Sequence, residues 1–190
     1  MVMSAQLSSD LLRPYLVEDL MTMHIYTAWP GESLISAAQT MRSHHVSGLP
    51  VVDPQNRVVG VLSEKDIVGA LDHQVGIGHA RGVLDILLAS YEPKRRDLLQ
   101  RSVAALLNGV VRDAMSHPAV TVDADVSLGE AWRLLGQYSI NRLPVVRNGT
   151  LVGILTRQDI LKVLQTGTPA AAPRQRNPPR VKVAAKAVPA

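Results

Sequence analysis

Cysteine is absent from this 190-residue chain, phenylalanine is absent too, and aromatic residues make up only 3% of it. Without Cys there is no disulfide framework and no thiolate metal site, which fits a reducing compartment. With so few aromatics the core must be built from Val, Leu, Ile and Ala, and the 46% hydrophobic content supplies them. No run reaches the roughly 18 apolar residues of a membrane span. The opening MVMSAQLSSDLLRPYL lacks the basic stretch and apolar run of a secretory leader. A soluble, cytoplasmic protein with no membrane partner is therefore expected. Enzyme signatures are also missing. GIGHARG (76–82) has no Lys-Ser/Thr ending and is not a phosphate-binding loop. Neither a Ser-His-Asp set nor a general acid–base pair can be argued from the order of residues. The six His are scattered. His44 and His45 are adjacent at a helix end and face apart, so no metal site is expected.

The net charge of +4 is local. From Thr166 onward stand Arg174, Arg176, Arg180, Lys182 and Lys186 with no acid, which leaves the rest of the chain at −1. A basic footprint for nucleic acid would have to lie in residues 166–190. That tail has no aromatic residue on which a base could stack, so nucleic-acid binding through it ranks third among the functional readings, ahead only of an enzyme.

What the chain does have is a repeat. Asp19-Leu20-Met21 returns as Asp113-Ala114-Met115, and Leu49-Pro50-Val51-Val52 returns as Leu143-Pro144-Val145-Val146. Gly60-Val61-Leu62-Ser63 with Asp66 returns as Gly153-Ile154-Leu155-Thr156 with Asp159. The one residue lost between copies falls where DPQNR shortens to RNGT, a place where a turn tolerates deletion and a strand would flip its faces. Each copy reads as a short strand (24–28, 119–122), then a helix (32–43, 127–138) with apolar residues at helical spacing. An apolar strand, a turn, a second strand and a helix starting near Ser63 or Thr156 follow. Ser127 is the expected N-cap, with Glu130 completing a capping box, and Asn148-Gly149 signals a tight hairpin. The expected fold is α/β: two β-α-β-β-α repeats packed sheet to sheet with pseudo-two-fold symmetry. The expected divisions are an N-terminal segment 1–14, repeats at 15–72 and 108–164, a helical insertion at 73–107 with helices at 79–90 and 94–107, and a disordered Pro/Ala-rich tail at 165–190.

This arrangement resembles a tandem pair of cystathionine-β-synthase (CBS) domains, a Bateman module. The residues that carry the resemblance are Asp19-x-Met21, Val46-Ser-Gly-Leu-Pro-Val-Val-Asp53 and Gly60-Val-Leu-Ser63-x-x-Asp66. Their counterparts are Asp113-x-Met115, Ile140-Asn-Arg-Leu-Pro-Val-Val146 and Gly153-Ile-Leu-Thr156-x-x-Asp159. The resemblance implies an adenine nucleotide as regulatory ligand (AMP, ADP, ATP or S-adenosylmethionine), with no catalytic cofactor. It implies two composite sites. One combines Ser63 and Asp66 with Val120, Thr121, Ile140 and Arg142; the other combines Thr156 and Asp159 with Tyr26, Ala28, Val46, Ser47 and Gly48. Arg142, where copy one has Gly48, is implied as a phosphate partner, and Asn141 as an amide donor to phosphate. A homodimer and an effector protein in trans are implied as partners.

Elementary chemistry reads Ser63/Asp66 and Thr156/Asp159 in two ways. A hydroxyl before a helix and an acid in its first turn make a cap that complements the dipole. A carboxylate also has two oxygens spaced to accept from vicinal hydroxyls. The expected function is a stand-alone regulatory module binding an adenine nucleotide. The rival is a ligand-free adaptor acting through its helical insertion or basic tail.

Overall fold

A computed structural model describes residue 12 and residues 14–75, 108–166 and 181–183. The helical insertion expected over 73–107 lies outside these residues, except that the helix entering it runs to Val75. The described elements are α1 (Leu34–Ser43), β1 (Gly48–Val52), β2 (Val58–Ser63), α2 (Glu64–Val75), α3 (Val111–Ala114), β3 (Val120–Asp123), α4 (Leu128–Gln137), β4 (Arg142–Arg147), β5 (Thr150–Thr156), α5 (Arg157–Thr166) and β6 (Val181–Val183). Before α1 lies a short 3-10 turn, Val17–Asp19. The two copies of the repeated pattern thus fold alike, and the class is α/β as the alternation of patterns requires.

Local chemistry accounts for the element ends. Ser33 and Ser127 are N-caps, each accepting from the backbone N–H three residues on. The capping box expected at Ser127 is one-sided. The Glu130 carboxylate turns outward to Arg133 instead, which raises that guanidinium's pKa through the hydrogen bond. α1 and α4 both stop in a left-handed residue, His45 (φ 53) and Ser139 (φ 52). There Val46 N–H bonds back to Met41 and Ile140 N–H to Leu135, the 6→1 bond of a Schellman end. Asn148 and Gly149 both have positive φ, as a two-residue hairpin of primed type demands.

The chain divides into two compact units that do not coincide with the sequence repeats: residues 1–25, 55–58 and 118–190 form one, and 26–54 and 59–117 the other. The segment leading into each repeat has changed places. Val17 N–H bonds to Val126 and Thr22 exchanges two backbone bonds with Ile154, while Val111 N–H bonds to Glu32 and Ser116 exchanges two with Val61. The first unit's core gathers Leu12, Val17, Val122, Leu128, Leu134, Leu135, Leu143, Leu155 and Ile160. The other gathers Ala28, Leu34, Met41, Leu49, Val51, Leu62 and Val111. Both are aliphatic, as the shortage of aromatics required.

In the first unit the sheet order is β5-β4-β3-β6. β3 runs parallel to β4, with Val122 opposite Val145, and β4 pairs antiparallel with β5. β6 comes from the tail. Most of that tail lies outside the described residues; its Val181–Val183 pair antiparallel with Val120–Val122. In the other unit β1 and β2 form a two-stranded sheet, and the strand expected over 24–28 contracts to one parallel bridge, Ala28 to Val51. The difference has a cause in pairing. β3 has a neighbour on each edge, whereas among the described residues the segment at Ala28 has one.

Two glycines explain why the repeated Asp-x-Met travels with the repeated Gly. A Cβ on Gly60 would lie 2.5 Å from Met115 Sδ, and one on Gly153 would lie 2.9 Å from Met21 Cγ. Each Met of the exchanged segment therefore lies over a strand position that only Gly can occupy without displacing it.

Candidate functional site

The same end of each sheet collects the residues singled out from the sequence. In the first unit β5 ends at Thr156, directly opposite Arg142 at the start of β4, and Arg157 N–H bonds to the Asn141 carbonyl at 2.9 Å. β3, carrying Val120 and Thr121, starts at this end because it is parallel to β4. Val120, Thr121, Ile140, Asn141, Arg142, Thr156 and Asp159 therefore share one sheet end. In the other unit Glu64 N–H bonds to the Ser47 carbonyl at 3.2 Å. This sets Val46, Ser47 and Gly48 beside Ser63 and Asp66, with Tyr26 and Ala28 on the segment bridged to β1. Arg142 is half-buried and Asn141 is exposed. The Tyr26 ring lies against His44, stacked at 3.6 Å between centroids.

The two hydroxyl–carboxylate pairs are nearly superimposable in their bonding. Asp66 Oδ2 accepts from Ser63 Oγ (2.6 Å) and Ser63 N–H (2.8 Å), and Ser63 Oγ accepts from Asp66 N–H (3.3 Å). Asp159 Oδ2 accepts from Thr156 Oγ1 (2.6 Å) and Thr156 N–H (3.0 Å), and Thr156 Oγ1 accepts from Asp159 N–H (3.2 Å). The capping reading of the sequence is thus realised, as a reciprocal box with Asp in place of Glu. The same bonds lock the carboxylate. With Oδ2 carrying two donors, Oδ1 is held in one direction. All four side chains are half-buried, so each carboxylate is sheltered yet reachable.

Beyond Oδ2 the pairs differ. Asp66 Oδ1 accepts from Ser116 Oγ at 3.2 Å. Asp159 Oδ1 has the Lys162 ammonium at 3.8 Å, an exposed ion pair worth at most about 1 kcal/mol. Sequence reasoning missed both neighbours. A signal for Ser116 was present, because the residue after each Asp-x-Met carries a hydroxyl (Thr22, Ser116). What it did not reveal was the exchange of segments that brings Ser116 to Asp66. Lys162 is one helical turn beyond Asp159, where copy one has Gly69.

Among the described residues no cluster of three or more His, Asp or Glu could hold a metal ion, and no helix is long and apolar enough to cross a membrane.

Two copies of one α/β unit, each ending a Gly-centred strand in a hydroxyl–carboxylate box, define a CBS domain pair. The CBS domain model matches residues 17–73 and 111–166, and the chain belongs to that family. It is 28% identical over 166 residues to the protein MJ1404 of Methanocaldococcus jannaschii, covering 86% of this chain and 35% of that protein. With CBSX2, a chloroplastic CBS domain-containing protein of Arabidopsis thaliana, identity is 33% over 154 residues, covering 78% of this chain and 63% of CBSX2. The chain thus spans from about a third to under two thirds of the length of these relatives. A crystal structure of CBSX2 in complex with AMP matches with a TM-score of 0.59 and 30% identity, over 81% of this chain and 99% of that one.

Proposed function

We propose that this protein is a regulatory module whose two locked carboxylates, Asp66 and Asp159, grip the ribose of an adenine nucleotide. The observation that carries the reading is the duplicated hydroxyl–carboxylate box. A cap alone requires one oxygen of the acid, and in both units the second oxygen takes no part in the cap. A ribose offers two adjacent hydroxyls, and a preformed acceptor binds them without losing side-chain entropy of its own. The AMP complex of CBSX2 supports adenosine monophosphate as the first ligand to try.

In this reading Arg142 serves the phosphate of a bound ligand, with Asn141 adding an amide, as the family resemblance implies. Val120, Thr121, Tyr26, Ala28, Val46, Ser47, Gly48 and Ile140 frame the bases. Lys162 gives the Asp159 site a cation that Gly48 does not provide. Occupancy shifts the population between arrangements of the repeats, which demands unequal affinity for them. The shift is passed to an effector protein by a homodimer.

The test is a thermal-shift panel of AMP, ADP, ATP and S-adenosylmethionine against GMP. An adenine ligand at a hundred times its Kd should stabilise the fold by about 2.7 kcal/mol. No response to any adenine ligand would turn the reading to an adaptor acting through the insertion or tail.

A further inference from the structure

Ser116 belongs to the segment leading into the second repeat, yet its hydroxyl donates to Asp66 Oδ1 at 3.2 Å. Its position is fixed on both sides. Ser116 N–H bonds to the Val61 carbonyl at 2.9 Å and Val61 N–H to the Ser116 carbonyl at 3.0 Å, two residues before Ser63. The preceding Met115 is seated over Gly60. An exposed serine held this firmly against a half-buried carboxylate is poorly explained by capping, because Ser63 already completes the cap on Oδ2.

We propose that Ser116 is a ribose-reading residue of the Asp66 site and the source of its preference for a ribonucleotide over its deoxy analogue. The inference rests on the ribose reading above. A hydroxyl has one donor and two acceptor positions. Ser116 therefore keeps its hydrogen on Asp66 Oδ1 and accepts from a ligand hydroxyl. A hydroxyl bound to Oδ1 at the usual distance of about 2.7 Å has a second acceptor within reach, since Oγ and Oδ1 are only 3.2 Å apart. One ligand hydroxyl then satisfies Asp66 and the other satisfies Ser116, and a nucleotide lacking one of them leaves a partner unpaired. A site built to bond a hydroxyl rejects the analogue without it. In the other unit Asp159 Oδ1 faces an ammonium in place of a hydroxyl, so this discrimination belongs to one site only.

The experiment is calorimetric titration of the full chain with AMP and with 2′-deoxy-AMP, on an Asp159→Asn background that leaves the Asp66 site alone. Ser116→Ala should cut the AMP to deoxy-AMP affinity ratio about tenfold, while Ser116→Thr should retain it, and the melting temperature of the ligand-free protein should be the same for all three. An unchanged ratio, or equal loss for both nucleotides, overturns the inference and leaves the ribose reading standing. Failure of the Asp159→Asn parent to bind AMP overturns both.

Discussion

At position 153 a hydrogen atom is all the space allows. A methyl there would push into Met21, against its Cβ at 3.2 Å as well as its Cγ at 2.9 Å, so rotation of the thioether cannot relieve it fully. Gly153→Ala should therefore destabilise the fold by about 1–3 kcal/mol, the usual cost of overpacking, measured by denaturant unfolding. Met21→Ala should recover part of that loss in the double variant, because the two changes act on one contact. Simple addition of the two losses would show that the glycine is needed for another reason. The same scale holds the candidate site. Ser63 and Thr156 each fix one carboxylate oxygen, and Oδ1 meets Ser116 in one unit and Lys162 in the other.

At the scale of elements, the helix ends position the strands that matter. α1 and α4 each stop in a left-handed residue, and the next residues, Val46-Ser47 and Ile140-Asn141, swing directly to the sheet end where the carboxylates lie. Neither stop uses Gly, although an L-residue in that conformation costs about 1 kcal/mol. Ser139 is exposed, so Ser139→Gly should raise stability by about 0.5–1 kcal/mol in thermal unfolding; a loss would mean the side chain makes a contact that the glycine cannot replace. These elements were legible because their signals are local. The period of α4, the hydroxyl at Ser127 and the Asn-Gly turn each act within a few residues. Two features were not legible. The first-repeat strand expected over 24–28 shrinks to one bridge because its length depends on a neighbouring strand. The three-residue β6 carries no local strand signal and is defined by its pairing with β3.

At the scale of the whole molecule, the exchange of lead segments decides what can fold by itself. The unit built on the second repeat buries Leu12, Leu16 and Val17 at 1%, 5% and 0% exposure; Leu12 precedes the first repeat, and Leu16 and Val17 open it. Their burial is worth roughly 1.5–3 kcal/mol each, comparable with the whole stability expected of a unit of this size. A fragment of residues 108–166, a complete repeat by sequence, should show no cooperative melting by circular dichroism, and a sharp transition in it would refute the structural role assigned to the exchange. The repeat itself was fully visible in the sequence, and so were Ser63, Asp66, Thr156 and Asp159. The exchange was not, because a motif such as Asp-x-Met records that a partner exists without saying which copy supplies it. The placement of Ser116 beside Asp66 follows from that exchange, so the motif by itself did not reveal it.

The ribose-gripping role of the two carboxylates is tested most directly by calorimetric titration of AMP into the wild-type chain and into Asp66→Asn, Asp159→Asn and the double variant. Asn keeps the size of the side chain but replaces one acceptor oxygen with a donor. Each single change should weaken its own site at least tenfold, and the double variant should show no measurable heat of binding. A double variant that binds AMP as the wild type does would contradict the account.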